Sequence, residues 1–204
     1  MQLEAILHIV SPTTPNQLLL VDRTGGGKTH VTRTAGIMLR GIIIIFIPLL
    51  SLSADQHSKF NVAAQRYGCV NAIHLDEISY ATSVKRAELL NRISSLTKNT
   101  TSTMFLLLSP QFLIRNEDFR KTLIIKANTG VVRLIKIDEV HLYVQHGITF
   151  RREICMLKEV FFEKVYRQNN KPFHPFFLAA TATMTHKYVD SLTQLTTNNN
   201  SFYS

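Results

Sequence analysis

The sequence has no tryptophan and only two cysteines, Cys69 and Cys155, in 204 residues. They form no CxxC pair, and no metal-binding spacing can be built from them. A disulfide-dense scaffold and a zinc ribbon are therefore excluded, and a reducing intracellular setting is the default. His8, His57, His74, His174 and His186 likewise lack metal partners at ligand spacing. Long hydrophobic runs are also missing. The greasiest stretch, residues 42–50, is nine residues long, whereas a membrane-spanning helix needs about 20. The N-terminus lacks a basic segment followed by an apolar core, so no signal peptide is expected. Internal repeats are absent. Acidic residues are scarce, 14 against 23 basic ones, which leaves a net charge of +9. That excess is spread along the chain and suits a surface facing phosphate backbones, although a basic soluble protein without a nucleic-acid partner has the same balance.

What is present is an alternation of apolar runs and amphipathic stretches. Strands are predicted at 18–22, 42–47, 70–75, 104–109, 131–137 and 176–180. Helices are predicted at 2–10, 28–40, 53–67, 82–97, 117–127, 150–167 and 185–195. This order implies an α/β fold, a parallel sheet with helices on both faces. The run Ile42-Ile43-Ile44-Ile45 is β-branched throughout and fits a strand buried on both sides. One domain is expected over 1–195, followed by a polar, frayed tail at 196–204. In such sheets ligands sit at the carboxyl ends of the strands.

Three of the eight glycines stand together in Thr24-Gly25-Gly26-Gly27-Lys28-Thr29, just after the first predicted strand and opening a helix. Glycines there let backbone N–H groups turn onto phosphates, and the helix N-terminus adds partial positive charge. Lys28 can reach the β- and γ-phosphates, and the Thr29 hydroxyl can ligate Mg²⁺. Asp22 occupies the place where the general pattern has its first glycine. A second strand end carries Asp138-Glu139-Val140-His141. Asp138 is suited to hold Mg²⁺ and Glu139 to orient and deprotonate the attacking water, with His141 linking the nucleotide to other motifs. An isolated Asp-Glu turn is equally a solvated pair of acids; the upstream glycine loop is what gives this one meaning. A third strand end, Thr181-Ala182-Thr183, offers two hydroxyls to couple the His141 region. Together the motifs describe a phosphate cradle and a magnesium-plus-water acid pair, hence an ATP-handling motor domain.

In that order the motifs resemble those of superfamily 2 helicases of the DExH type, and within them the RecQ-like ATP-dependent DNA helicases. That family typically has Thr-Gly-Gly-Gly-Lys-Ser in the loop. Ile47 to Gln56, containing Pro48 and Ser51, is similar to its motif Ia. Leu107-Leu108-Ser109-Pro110-Gln111 is similar to its motif Ib. The resemblance implies a P-loop, RecA-like lobe in which Pro48, Ser51, Ser109 and Pro110 hold the DNA backbone. It also implies that Gln2, in Gln2-Leu3-Glu4-Ala5-Ile6, reads adenine. After the acidic motif, Gln145, Gly147, Phe150 and Arg151 match the family's aromatic-rich, DNA-sensing loop. His146 stands where that loop has tryptophan, and it remains able to stack on a base.

The resemblance covers only the first of the two RecA-like lobes that such motors need, so a second lobe is an implied partner. Single-stranded or forked DNA is the implied track, ATP and Mg²⁺ the implied cofactors, with no membrane partner. Placement in the nucleus is expected if the host is eukaryotic, with roles in DNA repair and recombination. Two other readings stay open: a degenerate lobe that binds nucleic acid without hydrolysis, and a piece of a DExH RNA helicase.

Overall fold

The structure is a computed structural model that describes residues 1–11, 16–47, 58, 60–62, 68–78, 83–145, 152–153, 155–166 and 173–183. Among these, six strands form one sheet: β1 (Gln17–Val21), β2 (Gly41–Phe46), β3 (Val70–His74), β4 (Thr103–Leu108), β5 (Val132–Ile137) and β6 (Phe176–Thr181). Their spatial order is β1-β6-β5-β2-β4-β3, and every pairing is parallel. Parallel strands need crossovers, and these lay helices on both faces.

The sequence of β2 shows why. Its residues alternate between two cores, Ile42, Ile44 and Phe46 to one side and Ile43 and Ile45 to the other, and all are fully buried. On the first side they meet Leu89 and Ile93 of the helix Ser83–Ser95, Phe119 and Leu123 of the helix Glu117–Asn128, and Phe161 and Phe162. On the second they meet two helices that frame the glycine loop. Helix α1 (Gln2–Val10) presents Ala5, Ile6 and Ile9, and α2 (Lys28–Leu39) presents Val31 and Ala35. Each such side chain, fully buried, contributes roughly 1.5–3 kcal/mol relative to exposure.

All six expected strands are present, within a residue or so at their ends. Three short helices were not expected: Leu75–Ile78, Pro110–Arg115 and Val140–Gln145, each starting within three residues of a strand's carboxyl end. Segments so short carry too few apolar positions to show a helical period. The expected helix over 150–167 is described at 152–153 and from 155 to 166, with a π-helical turn at Lys158–Phe162. An α-helix turns consecutive side chains about 100° apart. Phe161 and Phe162 both pack on Phe46, with ring centroids at 6.1 and 5.7 Å. Cys69 is exposed just ahead of β3. Most of the helix expected at 53–67, all of that at 185–195 and the tail 196–204 lie outside the described residues. No described helix is long and apolar enough to cross a membrane.

Candidate nucleotide site

The glycine loop joins β1 to α2. Gly25 and Gly27 have φ of 82° and 98°, a region that side-chain-bearing residues rarely adopt. Gly26 has a different constraint: a Cβ there would overlap the Asp22 carboxylate, which folds over the loop. A Cβ on Gly27 would likewise strike the Gln2 amide. Gln2 Nε2 donates to the Gly26 carbonyl at 2.8 Å, so α1 clasps the loop through this side chain. Helix α2 starts at Lys28 with no side chain capping its N-terminus, which leaves first-turn amides for an anion. Lys28 Nζ crosses the loop, donating to the carbonyls of Asp22 at 2.6 Å and Arg23 at 3.2 Å. Thr24 is exposed at the loop's lip, and Thr29 is half-buried in the first turn of α2.

The acidic motif follows β5. Asp138 is buried, and its amide donates to the Phe46 carbonyl at 3.0 Å, which fixes it to the end of β2. Glu139 has φ of 45°, a strained conformation for a residue with a side chain, of order 1–3 kcal/mol. Strain of this kind persists where the surrounding structure holds a functional group in place. Glu139 Oε2 lies 3.3 Å from His141 Nδ1.

Thr181, at the end of β6, ties the two motifs together. Its carbonyl accepts from the Asp22 amide at 3.1 Å, which fixes the entry to the glycine loop. Its hydroxyl lies 2.8 Å from His141 Nδ1 and donates to the Thr183 carbonyl at 2.8 Å. A threonine hydroxyl has one proton. With that proton on Thr183, Thr181 Oγ1 accepts from His141, so Nδ1 carries the imidazole proton. The Thr183 amide also donates to this oxygen, at 3.2 Å. Because β6 lies between β1 and β5, the glycine loop and the carboxylates open on the same sheet edge, two strand spacings apart, about 10 Å. A triphosphate with its cation fits that gap.

A family profile, DEAD/DEAH box helicase, matches residues 1–192. This chain belongs to the DEAD/DEAH box helicase family. Its curated relatives are helicases of the RecQ type. It is 26% identical over 170 residues to the ATP-dependent DNA helicase RecQ of Bacillus subtilis, covering 83% of this chain and 24% of that protein. A Caenorhabditis briggsae relative described as an ATP-dependent DNA helicase Q1 is 28% identical over 165 residues, 81% of this chain and 24% of the relative. The chain thus spans about a quarter of the length of these relatives. Among solved structures, the DUF1998 helicase MrfA superposes with a TM-score of 0.62 at 16% identity, over 96% of this chain and 28% of that one. The Pyrococcus furiosus Hef helicase domain does so with a TM-score of 0.56 at 14% identity, over 100% of this chain and 37% of that one. The sheet is that of a RecA-like helicase lobe.

Of the residues that the RecQ resemblance assigns to DNA in this DEAD/DEAH-family lobe, Ser109 and Pro110 are described. Pro110 is buried in the first turn of its helix, and Ser109 caps that helix by accepting from the Phe112 amide at 3.2 Å. The Ser109 amide and hydroxyl both donate to the Asp76 carboxylate, at 2.7 and 2.5 Å. Ile47 donates to the Leu108 carbonyl at 2.9 Å, so the motif Ia segment sets out beside Ser109. Pro48, Ser51, His146, Phe150 and Arg151 lie outside the described residues, and of Gln145 only the backbone is described.

Two charged residues at this lobe's strand ends were not foreseen. One is Asp76, 33 residues from its partner Ser109, a separation with no sequence signature. The other is Lys136, fully buried in β5, whose Nζ lies 2.9 Å from Asp138 Oδ1. That pair did have a signal: residues two apart in a strand share a face.

The donor set fits the family's nucleotide. Backbone amides, Lys28 and a helix N-terminus match a triphosphate. The Thr29 hydroxyl and Asp138 carboxylate are hard oxygen donors, as Mg²⁺ requires. Among the described residues no three metal-ligating side chains converge. A magnesium ion that arrives with phosphates needs only one or two protein oxygens.

Proposed function

We propose that this chain is the ATP-binding lobe of a RecQ-like DNA helicase, and that it couples ATP hydrolysis to movement on single-stranded DNA when paired with a second RecA-like lobe. The observation that carries this reading is the Thr181 junction, which bonds both the glycine loop and His141. In this reading Lys28 moves from the Asp22 and Arg23 carbonyls onto the β- and γ-phosphates, and the α2 amides hold the same oxygens. Gln2, whose amide bonds the Gly26 carbonyl, is assigned to adenine. Asp138 and Thr29 would hold Mg²⁺, which would supply neutralising charge to the phosphates. Glu139 takes the proton of the attacking water, and His141 passes the change to Thr181 and Thr183. Positioning and electrostatics, rather than covalent chemistry, supply the rate. A cellular role in DNA repair and recombination, inside the cell and in the nucleus of a eukaryotic host, follows from the same reading.

The test is a titration with a fluorescently labelled ATP analogue, since the chain has no tryptophan to report binding. Saturable binding that falls at least about tenfold in Lys28→Ala is expected. Equal binding by the variant would refute the nucleotide site. The isolated lobe is expected to hydrolyse ATP negligibly, and robust turnover by it would refute the need for a second lobe.

One observation favours the alternative of a non-hydrolysing nucleic-acid binder: the Asp22 carboxylate lies against Gly26, within a loop meant for anions. Salt-sensitive DNA binding indifferent to ATP is its signature.

A further inference from the structure

Strand β5 carries a cation where both faces of the sheet are covered. Lys136 is in register with Ile45 on one side and Leu178 on the other, each fully buried. Its side chain points to the face of the sheet that carries α1 and α2, as Leu134 does. An ammonium in such a place is tolerated only with a counter-charge. Among the described residues that counter-charge is Asp138, whose side chain is 4% exposed and whose Oδ1 is 2.9 Å away. The contact is ionic and falls short of an aligned hydrogen bond.

We propose that Lys136 is a resident counter-cation on Asp138, with which a divalent metal must compete, so that this lobe binds nucleotide with little help from magnesium. The proposal rests on the reading of Asp138 as the metal-side acid of a triphosphate site. Like charges repel more strongly where water is excluded, and Lys136 has none around it. An incoming divalent ion either displaces the ammonium from Oδ1 or binds the carboxylate beside it; both weaken the metal. Lys136 is thus a positioning residue that sets the metal dependence of the site.

The experiment measures affinity of the full 204-residue chain for a fluorescent ATP analogue, with chelator and with millimolar Mg²⁺, and separately Mn²⁺ binding by electron paramagnetic resonance without nucleotide. Wild type is expected to change by less than about threefold on adding Mg²⁺, and Lys136→Met to gain about tenfold. Lys136→Met is also expected to bind Mn²⁺ more tightly than wild type. Lys136→Gln, neutral and still able to reach Asp138, repeats both measurements should the methionine variant not fold. A wild type that gains as much from Mg²⁺ as the variants do, or equal Mn²⁺ affinities, overturns the proposal. Should Lys28→Ala bind the analogue as wild type does, the underlying nucleotide reading fails instead, and the Mn²⁺ comparison still judges Lys136.

Discussion

Replacing Asp138 by alanine should unfold this protein far more readily than removing a surface carboxylate would. The variant leaves the Lys136 ammonium, fully buried, without the partner it has at 2.9 Å. Breaking a buried ion pair on one side costs about 3–5 kcal/mol, against a total stability of about 5–15 kcal/mol for a domain. In a chain of this size each kcal/mol shifts Tm by about 2–4 °C, so a fall of about 6–20 °C is expected. Far-ultraviolet circular dichroism in a urea or thermal series reads it directly. The double variant Lys136→Met/Asp138→Ala removes both charges and should recover most of the loss, because a buried pair replaced by apolar groups is often neutral. The cycle should give a coupling of at least about 2 kcal/mol. If Asp138→Ala melts within about 0.5 kcal/mol of wild type, the ammonium has reached water and the buried-pair argument is wrong.

Gly27→Ala should cost about 1–2 kcal/mol from its positive φ and displace the Gln2 amide, whereas Gly25→Ala, with open space around it, should cost strain alone; thermal melts separate the two. Thr181→Val keeps the shape of the side chain but strands His141 Nδ1 and the Thr183 amide; a loss of about 1–3 kcal/mol is expected in denaturant unfolding. Asp76→Ala frees the Ser109 amide and hydroxyl, so its affinity for single-stranded DNA, measured by fluorescence anisotropy, should rise; unchanged affinity would remove Ser109 from the DNA path.

The sheet was legible because its strands are short, β-branched and buried on both faces, as Ile42 to Ile45 show. The glycine loop was legible because backbone conformation there admits little but glycine. Less visible was what the side chains do to one another across strands. Lys136 reads as an ordinary member of a strand until the covered faces make its charge anomalous. Asp76 reads as a polar residue after a strand until β3 and β4 pair and bring it to Ser109. The π-helical turn at Lys158–Phe162 leaves no mark on the sequence period, because Phe161, Phe162, Val165 and Tyr166 are buried as an ordinary helical stripe would be. His141 and Thr181, by contrast, were named as a coupled pair, and they lie 2.8 Å apart.

The placement of β6 sets when the glycine loop and the acidic motif come together. Strand β1 has β6 as its neighbour in the sheet, yet some 150 residues are synthesised between them. During synthesis β2, β4, β3 and β5 can pair first, while the segment that bears the glycine loop waits for a mate. A nascent chain halted before residue 176 can therefore pair most of its sheet while the glycine loop still lacks its Thr181 contact. The junction at Thr181 closes late, as a final docking event, after the bulk of the sheet can pair.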